Sequence, residues 1–129
     1  MNTNQVEELF QQEGYDFMAA VFEVYNEMGG GFLEEVYQES LELELTERRI
    51  PFISRPKLTL HYKSRPLKKH YEADLIVIEA ILVELKAAKT LAPEHEAQLI
   101  NYLKATDKRV GYLINFSSFP RLQWKRLVL

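Results

Sequence analysis

Three charged side chains lie within two short apolar strands near the middle of the chain, and their spacing suggests phosphodiester hydrolysis. Residues 73–86 have the sequence ADLIVIEAILVELK, which contains Asp74, Glu84 and Lys86. A charge that faces a protein core is costly unless it is paired or binds a metal. Two carboxylates are hard oxygen ligands for Mg²⁺ or Mn²⁺. A lysine beside them could position a metal-bound water or stabilise the transition state of phosphate hydrolysis.

Strand alternation determines whether these side chains can meet. Glu84 and Lys86 share one face of their strand, because side chains alternate with a period of two. In an antiparallel hairpin Asp74 lies beside Glu84 only if the paired residue numbers sum to an even value. The metal-site hypothesis therefore predicts a three-residue loop or a bulge around Glu79, since a two-residue turn would pair Asp74 with Leu85 on the wrong face. An exposed ion pair on a solvated face is the alternative explanation of Glu84 and Lys86.

Length and composition favour one globular domain over residues 1–129. The 47% hydrophobic and 27% charged content is ordinary for such a domain. The absence of cysteine excludes disulfides, thiol catalysis and zinc–thiolate sites, and it favours an intracellular, cytoplasmic location. No apolar run approaches the roughly 20 residues that span a bilayer, and no signal peptide is visible. No membrane association is predicted.

The charges are unevenly distributed. Residues 1–47 contain twelve acids and no Lys or Arg, whereas residues 48–129 contain all sixteen bases and seven acids. If the first segment covers one side of the fold, a basic surface remains on the other side, as in many nucleic-acid-binding proteins. Neutralisation of a basic sheet by an acidic helical layer is the alternative. Candidates for phosphate contacts are Lys68, Lys69, Lys89, Lys104, Lys108 and Arg109.

The periodicity of apolar residues predicts a mixed α/β fold in the order α-α-β-β-β-α-β-β. Gly14 is expected to break or bend the first helix, and 63–69 to form a basic turn. Inward-facing helix positions are expected at Leu33, Tyr37, Leu41 and Leu45, and at Ala97, Ile100 and Leu103. Helices are predicted at 5–28, 33–48 and 90–106, and strands at 58–62, 70–78, 80–85, 109–116 and 122–129.

Four sequence motifs together resemble a known family. They are GFLEEVY at 31–37, VELKA at 83–87, HEAQL at 95–99 and GYLINF at 111–116. From about residue 17 to residue 116 the chain resembles the GxxExxY proteins, a branch of the PD-(D/E)XK nuclease superfamily. The resemblance implies a restriction-endonuclease-like fold, in which a mixed β-sheet is flanked by helices.

The resemblance also implies roles for individual residues. Asp74 corresponds to the central metal ligand, and Glu84 and Lys86 correspond to the second ligand and the catalytic lysine. Glu34 corresponds to a helical glutamate that joins the metal ligands, and Gln98 to a glutamine that orients the lysine or contacts the phosphate.

Several alternatives remain at these motifs. Glu35 is an equal candidate for the role of Glu34, and Gln98 could be an ordinary exposed helix residue. Tyr37, which gives the family its name, lies on the apolar stripe and is predicted to be in the core. Tyr102 follows Gln98 by one helical turn. His95 near the helix start is expected to be a capping or surface residue.

The implied activity is that of an Mg²⁺- or Mn²⁺-dependent deoxyribonuclease. A non-catalytic module that binds nucleic acid or protein with a nuclease-like fold is the first alternative. A metal-dependent enzyme acting on another phosphate ester is the second. A chain of 129 residues has no room for a separate specificity domain, so a homodimer or a partner protein is expected to help hold DNA.

Overall fold

Within residues 8–129, two helices precede the sheet. The computed structural model describes residues 8–129. Helix α1 spans Gln11–Met28 and helix α2 spans Glu34–Glu47, so the first predicted helix starts later than expected, and 5–7 lie outside the described residues. Among residues 8–129, no helix has both the length and the apolar character needed to cross a membrane.

Seven strands and a third helix follow within residues 8–129: β1 Phe52–Ser54, β2 Lys57–Tyr62, β3 Arg65–Glu72, β4 Leu75–Val77, β5 Ile81–Lys86, α3 Pro93–Thr106, β6 Val110–Asn115 and β7 Gln123–Val128. The central feature is a five-stranded mixed sheet with the strand order β1-β4-β5-β6-β7. Strands β5 and β6 are parallel, and the other neighbours are antiparallel. Strands β2 and β3 form a separate hairpin. The predicted mixed α/β fold is confirmed, with two helices before the strands, a third helix among them and two strands at the end.

The strands before β5 differ from the prediction. The strand expected at 70–78 is divided between β3 and β4, because β3 pairs with β2 whereas β4 pairs with the unforeseen strand β1. The chain passes from one sheet to the other at Ala73 and Asp74. There Ala73 N donates to Pro56 O, and Arg55 N donates to Asp74 O. The turn expected at 63–69 is present only at residues 63 and 64, since β3 already begins at Arg65.

Helices α1 and α2 cover one face of the sheet. Tyr37 is fully buried, as predicted, and its ring stacks on Phe116 with the centroids 4.6 Å apart. Its hydroxyl donates to Gly29 O at 2.6 Å and accepts from Phe32 N at 3.3 Å. Leu41 and Leu45 are also buried as expected. The inward position predicted for Leu33 is wrong, since this residue precedes the first turn of α2 and is 72% exposed.

Helix α3 covers the opposite face of the sheet and lies close to β6. Its buried residues are Leu99 and Leu103. The inward position predicted for Leu103 is therefore confirmed, whereas the one predicted for Ala97 is wrong, because Ala97 is exposed. A Cβ atom on Gly111 of β6 would lie 3.2 Å from Leu99 and 3.3 Å from Leu103. The absence of that atom allows α3, which carries Gln98, to pack closely on the sheet.

Gly14 does not break α1, contrary to expectation, but it permits close packing against β6. A Cβ atom at Gly14 would lie 2.0 Å from the Tyr112 hydroxyl. The ring of Tyr112 is held by Phe17 and Trp124, and its hydroxyl accepts a hydrogen bond from Arg126 Nε at 3.1 Å. The tyrosine therefore has little freedom to move away.

We predict that Gly14→Ala lowers the free energy of unfolding by about 1–3 kcal/mol through overpacking, in spite of the higher helix propensity of alanine. Urea denaturation would measure the change. Gly30→Ala is the control, because a Cβ atom there meets only ordinary contacts at 3.6 Å or more. Equal stability of the Gly14→Ala variant and the unmodified protein would contradict this packing constraint.

Candidate active site

The β4–β5 hairpin has the register that the metal-site hypothesis requires. Leu75 pairs with Val83 and Val77 pairs with Ile81, so the loop has three residues and Asp74 lies beside Glu84. The predicted three-residue loop is therefore confirmed. No glycine is present to ease the turn.

The loop of the β4–β5 hairpin adopts a strained backbone. Ile78 and Glu79 have φ angles of 50° and 60°, a region that is unfavourable for a β-branched residue such as isoleucine. Ala80 N donates to Val77 O at 3.1 Å, and Lys108 Nζ donates to Glu79 O at 3.0 Å. These contacts help to hold the loop and thereby the register.

Asp74 is fixed by three separate segments. Leu85 N donates to its Oδ2 atom at 2.7 Å. Its backbone oxygen accepts from the Nε2 atom of Gln38, a buried residue of α2, at 2.7 Å and from Arg55 N at 3.0 Å. The carboxylate is therefore positioned before any ligand binds, as the ligands of metal sites commonly are.

Glu84 is partly buried and lies within the electrostatic reach of Asp74. Burial, followed by the charge of Asp74, raises the pKa of its carboxyl from 4.5 to about 7, although a hydrogen bond from the Tyr71 hydroxyl and the charge of Lys86 act in the opposite direction. Burial and the Glu84 charge raise the pKa of Tyr71. Tyr71 is held in turn by stacking on Tyr102, with the ring centroids 3.7 Å apart.

A cavity of about 300 Å³, here called the site cavity, lies between β3, β5 and α3. Glu84, Lys86, Gln98 and Tyr102 all line it, so the structure brings together four of the residues predicted for the site. Lys86 is partly buried and Gln98 is exposed. Neither side chain forms a hydrogen bond or ion pair with another residue in the described part of the chain. Both can therefore interact with a substrate.

Glu34 shares a cavity with Asp74 but not with Glu84. It is the exposed first residue of α2 and lines a second cavity, of about 230 Å³, together with Glu35 and Asp74. Within residues 8–129, no three His, Asp or Glu side chains form a group that could hold a metal ion. The structure therefore brings together the Asp74–Glu84 pair but not the complete set of three carboxylates. The role of Glu34 as a ligand stays a prediction.

The Asp74–Glu84 pair fits a hard divalent cation. The two carboxyl groups are close enough to raise the pKa of Glu84, which means that their negative charges repel each other in a partly desolvated place. A proton relieves this repulsion near neutral pH, and Mg²⁺ or Mn²⁺ would relieve it more completely with oxygen ligands of the preferred kind.

Several site residues were not predicted from the sequence. Tyr71 holds Glu84, and Gln38 holds Asp74. Buried Asn115 pairs with Lys86 in the parallel register, and its side chain exchanges hydrogen bonds of 3.0 and 2.9 Å with the backbone of Ala88. Two features of the sequence could have indicated Gln38 and Asn115. Gln38 follows Glu34 by one helical turn, and Asn115 is a polar residue within a strongly apolar strand.

His95 has the capping role that was expected. Its Nδ1 atom accepts a hydrogen bond from Ala92 N at 3.1 Å, at the N-terminus of α3. The imidazole also lines the site cavity. The fixed helix start places Gln98 less than one turn further along α3.

The predicted phosphate-binding residues occupy different regions. Lys69 lines the site cavity, whereas Lys104 lines a cavity beside the β2–β3 turn. Lys108 and Arg109 lie at the opposite end of β5 and β6 and donate to backbone oxygens of Glu79 and Leu129. Lys68 and Lys89 are exposed. Contact of any of these residues with nucleic acid stays a prediction.

Comparison with known proteins agrees with the fold. A family model of the PD-(D/E)XK nuclease superfamily matches residues 11–127. No curated protein matches the chain at a significant level. The crystal structure of SSO0001 is similar, with a TM-score of 0.56, 18% sequence identity and coverage of 73% of this chain. The match covers 48% of the SSO0001 chain, so this protein corresponds to about half of it. At this identity the likeness concerns the fold alone.

We predict that Glu84→Gln stabilises the metal-free protein at alkaline pH. A carboxyl with a raised pKa in the folded state contributes most to stability below pH 4.5, and this contribution is lost as the pH rises to about 7. The variant should therefore exceed the unmodified protein in unfolding free energy by about 1–3 kcal/mol at about pH 8, and by less at about pH 5.

Urea denaturation in the presence of a chelator would measure this difference. Glu79→Gln is the control for the loss of one negative charge, since Glu79 is exposed at the far end of the same hairpin. A difference between the Glu84→Gln variant and the unmodified protein that does not change with pH would contradict the raised pKa.

Proposed function

Because the chain belongs to the PD-(D/E)XK nuclease superfamily, we propose that it is a metal-dependent nuclease that hydrolyses phosphodiester bonds in DNA. The observation that carries this proposal is the β4–β5 register, which sets Asp74 beside Glu84. Lys86 follows on the same strand face and lines the site cavity with Gln98. A superfamily match alone would not distinguish an active nuclease from an inactive relative.

Asp74 and Glu84 are the residues that would hold Mg²⁺ or Mn²⁺. The bound ion would supply a water of lowered pKa and would neutralise charge on the scissile phosphate. The chain itself contributes orientation. Leu85 N fixes one carboxylate, and the Tyr71 hydroxyl fixes the other. Preorganised ligands of this kind lose little free energy to reorganisation during the reaction.

Lys86 and Gln98 are the residues proposed to contact the reacting phosphate. The ammonium group of Lys86 would stabilise the negative charge that develops as water adds to phosphorus and a phosphorus–oxygen ester bond breaks. The Gln98 side-chain amide can donate to a phosphate oxygen and so orient the phosphate in the site cavity. Both side chains can make these contacts without first breaking a hydrogen bond to a described residue.

Membership of the GxxExxY branch is part of the same proposal. The Tyr37 hydroxyl closes the glycine-rich turn through its hydrogen bonds to Gly29 O and Phe32 N. That turn leads directly into the start of α2, where Glu34 lies. This contact supports a positioning role for the tyrosine of the GFLEEVY motif.

We predict that the protein cleaves DNA in the presence of Mg²⁺ or Mn²⁺ and that Lys86→Ala lowers the cleavage rate by at least about 100-fold, because a charged donor to the transition state is lost. The assay compares linear, circular and branched DNA, and RNA. Lys125→Ala is the control, since Lys125 lies on β7, is paired with Glu96 and does not line the site cavity.

Cleavage no faster than that of the Lys86→Ala variant on every substrate would contradict the nuclease proposal. Binding without cleavage would instead support a non-catalytic module with a nuclease-like fold. Calorimetric titration of Asp74→Asn with Mn²⁺ tests the ligand assignment separately. Affinity equal to that of the unmodified protein would show that Asp74 does not hold the ion.

A further inference from the structure

The β2–β3 hairpin carries more positive charge than the candidate active site accounts for. Between Lys57 and Tyr71 the chain contains five Lys or Arg residues and no Asp or Glu. All residues from 61 to 70 are exposed. Of these five bases, Lys69 alone lines the site cavity. The bases are Lys57, Lys63, Arg65, Lys68 and Lys69.

The hairpin is anchored to the fold by one face only. Leu58, Leu60 and Tyr71 belong to the cluster that includes Leu99 and Leu103. The hairpin pairs with no strand of the main sheet within residues 8–129. Its anchored end is therefore at the site, where Tyr71 bonds Glu84. The remaining charged surface is left for a partner.

The length of the hairpin carries its turn well away from the site. Tyr71 pairs with Leu58 and Arg65 pairs with Tyr62, so four steps along β2 cover this part of the hairpin. At about 3.4 Å per residue they span about 14 Å. The register also shifts. Thr59 pairs with His70 and His61 pairs with Pro66, so β3 has two more residues in this interval than β2. Such irregularities bend a strand pair and increase its twist.

The tip of the hairpin and the adjacent end of α3 extend the basic surface. Tyr62 is 62% exposed, and Lys63 Nζ lies 5.5 Å from the centre of its ring. Lys104 of α3 lines a cavity beside the turn with Ser64 and Asp107. Lys104 thus adds a positive charge next to the hairpin, although the negative charge of Asp107 is also present there.

We propose that the β2–β3 hairpin is an arm that binds duplex nucleic acid on one side of the phosphate held at the site cavity. The inference rests on the proposed function, which locates that phosphate. A row of Lys and Arg side chains complements the negative charge of nucleic-acid phosphates. The major groove admits a two-stranded ribbon, and a reach of about 14 Å corresponds to about four base pairs at 3.4 Å each.

Binding of a labelled DNA duplex of about 24 base pairs, measured by fluorescence anisotropy with chelator present and between about 50 and 200 mM salt, tests the proposal. The test variant is Arg65→Gln with Lys68→Gln, which removes two exposed charges from β3. Each lost phosphate contact should reduce the slope of log K against log salt by about 0.9, so the double variant should lose up to about 1.8. The double variant should bind more weakly than the unmodified protein at low salt, and its loss of affinity between about 50 and 200 mM salt should be up to about twelvefold smaller.

The matched control is Arg48→Gln with Arg49→Gln. It removes the same charge from the C-terminal end of α2, where Arg48 pairs with Glu44. The control should keep the affinity and salt slope of the unmodified protein. If the hairpin double variant does not fold, Lys68→Gln alone should still reduce the slope by about 0.9. Unchanged binding in the hairpin variant, or equal losses in both double variants, would overturn the proposal.

The measurement separates this proposal from the proposed function, because binding without metal needs no turnover. Hairpin-dependent duplex binding by a protein that cleaves nothing would support the arm and contradict the nuclease activity. Cleavage by the unmodified protein, together with unchanged binding by the hairpin variant, would support the nuclease activity and contradict the arm. Tighter binding of a single strand than of the duplex would overturn the choice of duplex nucleic acid as the partner.

Discussion

The register of the β4–β5 hairpin is the constraint on which the candidate active site depends. A shift of one residue would send Glu84 and Lys86 to the opposite face of the sheet, because side chains alternate along a strand. The register is kept by a loop in which Ile78 and Glu79 have positive φ angles. Such a conformation costs free energy, and it persists because the paired strands and the Lys108 contact over-determine it.

The proximity of the Asp74 and Glu84 carboxylates is a second cost in folding free energy, which the surrounding residues only partly offset. Desolvation and mutual repulsion raise the pKa of Glu84, while the Tyr71 hydroxyl and the Lys86 charge favour its ionised form. Neither removes the repulsion from Asp74. A site that is more stable when protonated than when ionised gains from binding a cation, and this trade of stability for binding is common in active sites.

The two faces of the sheet have different roles. Helix α2, on one face, contributes the buried side chain of Gln38, which donates a hydrogen bond to the backbone oxygen of Asp74. Helix α3 packs on the other face, where Gly111 allows close approach, and it brings Gln98 and Tyr102 to the site cavity. The side chain of Asn115 fixes the backbone at Ala88, in the segment that links β5 to α3. The supports of the site are therefore distributed over the whole fold.

The sequence by itself determined the helices and the central strands, because these follow from local periodicity. Parity reduced the meeting of Asp74 and Glu84 to the length of one loop, and the structure decided that this loop has three residues. The sequence could not determine that β3 leaves the main sheet to pair with β2, since strand pairing depends on residues distant in the chain. For the same reason the partners Tyr71 and Gln38 were not predicted, nor was the separation of Glu34 from the cavity that contains Glu84. Such contacts form between elements, and only the tertiary structure decides which elements meet.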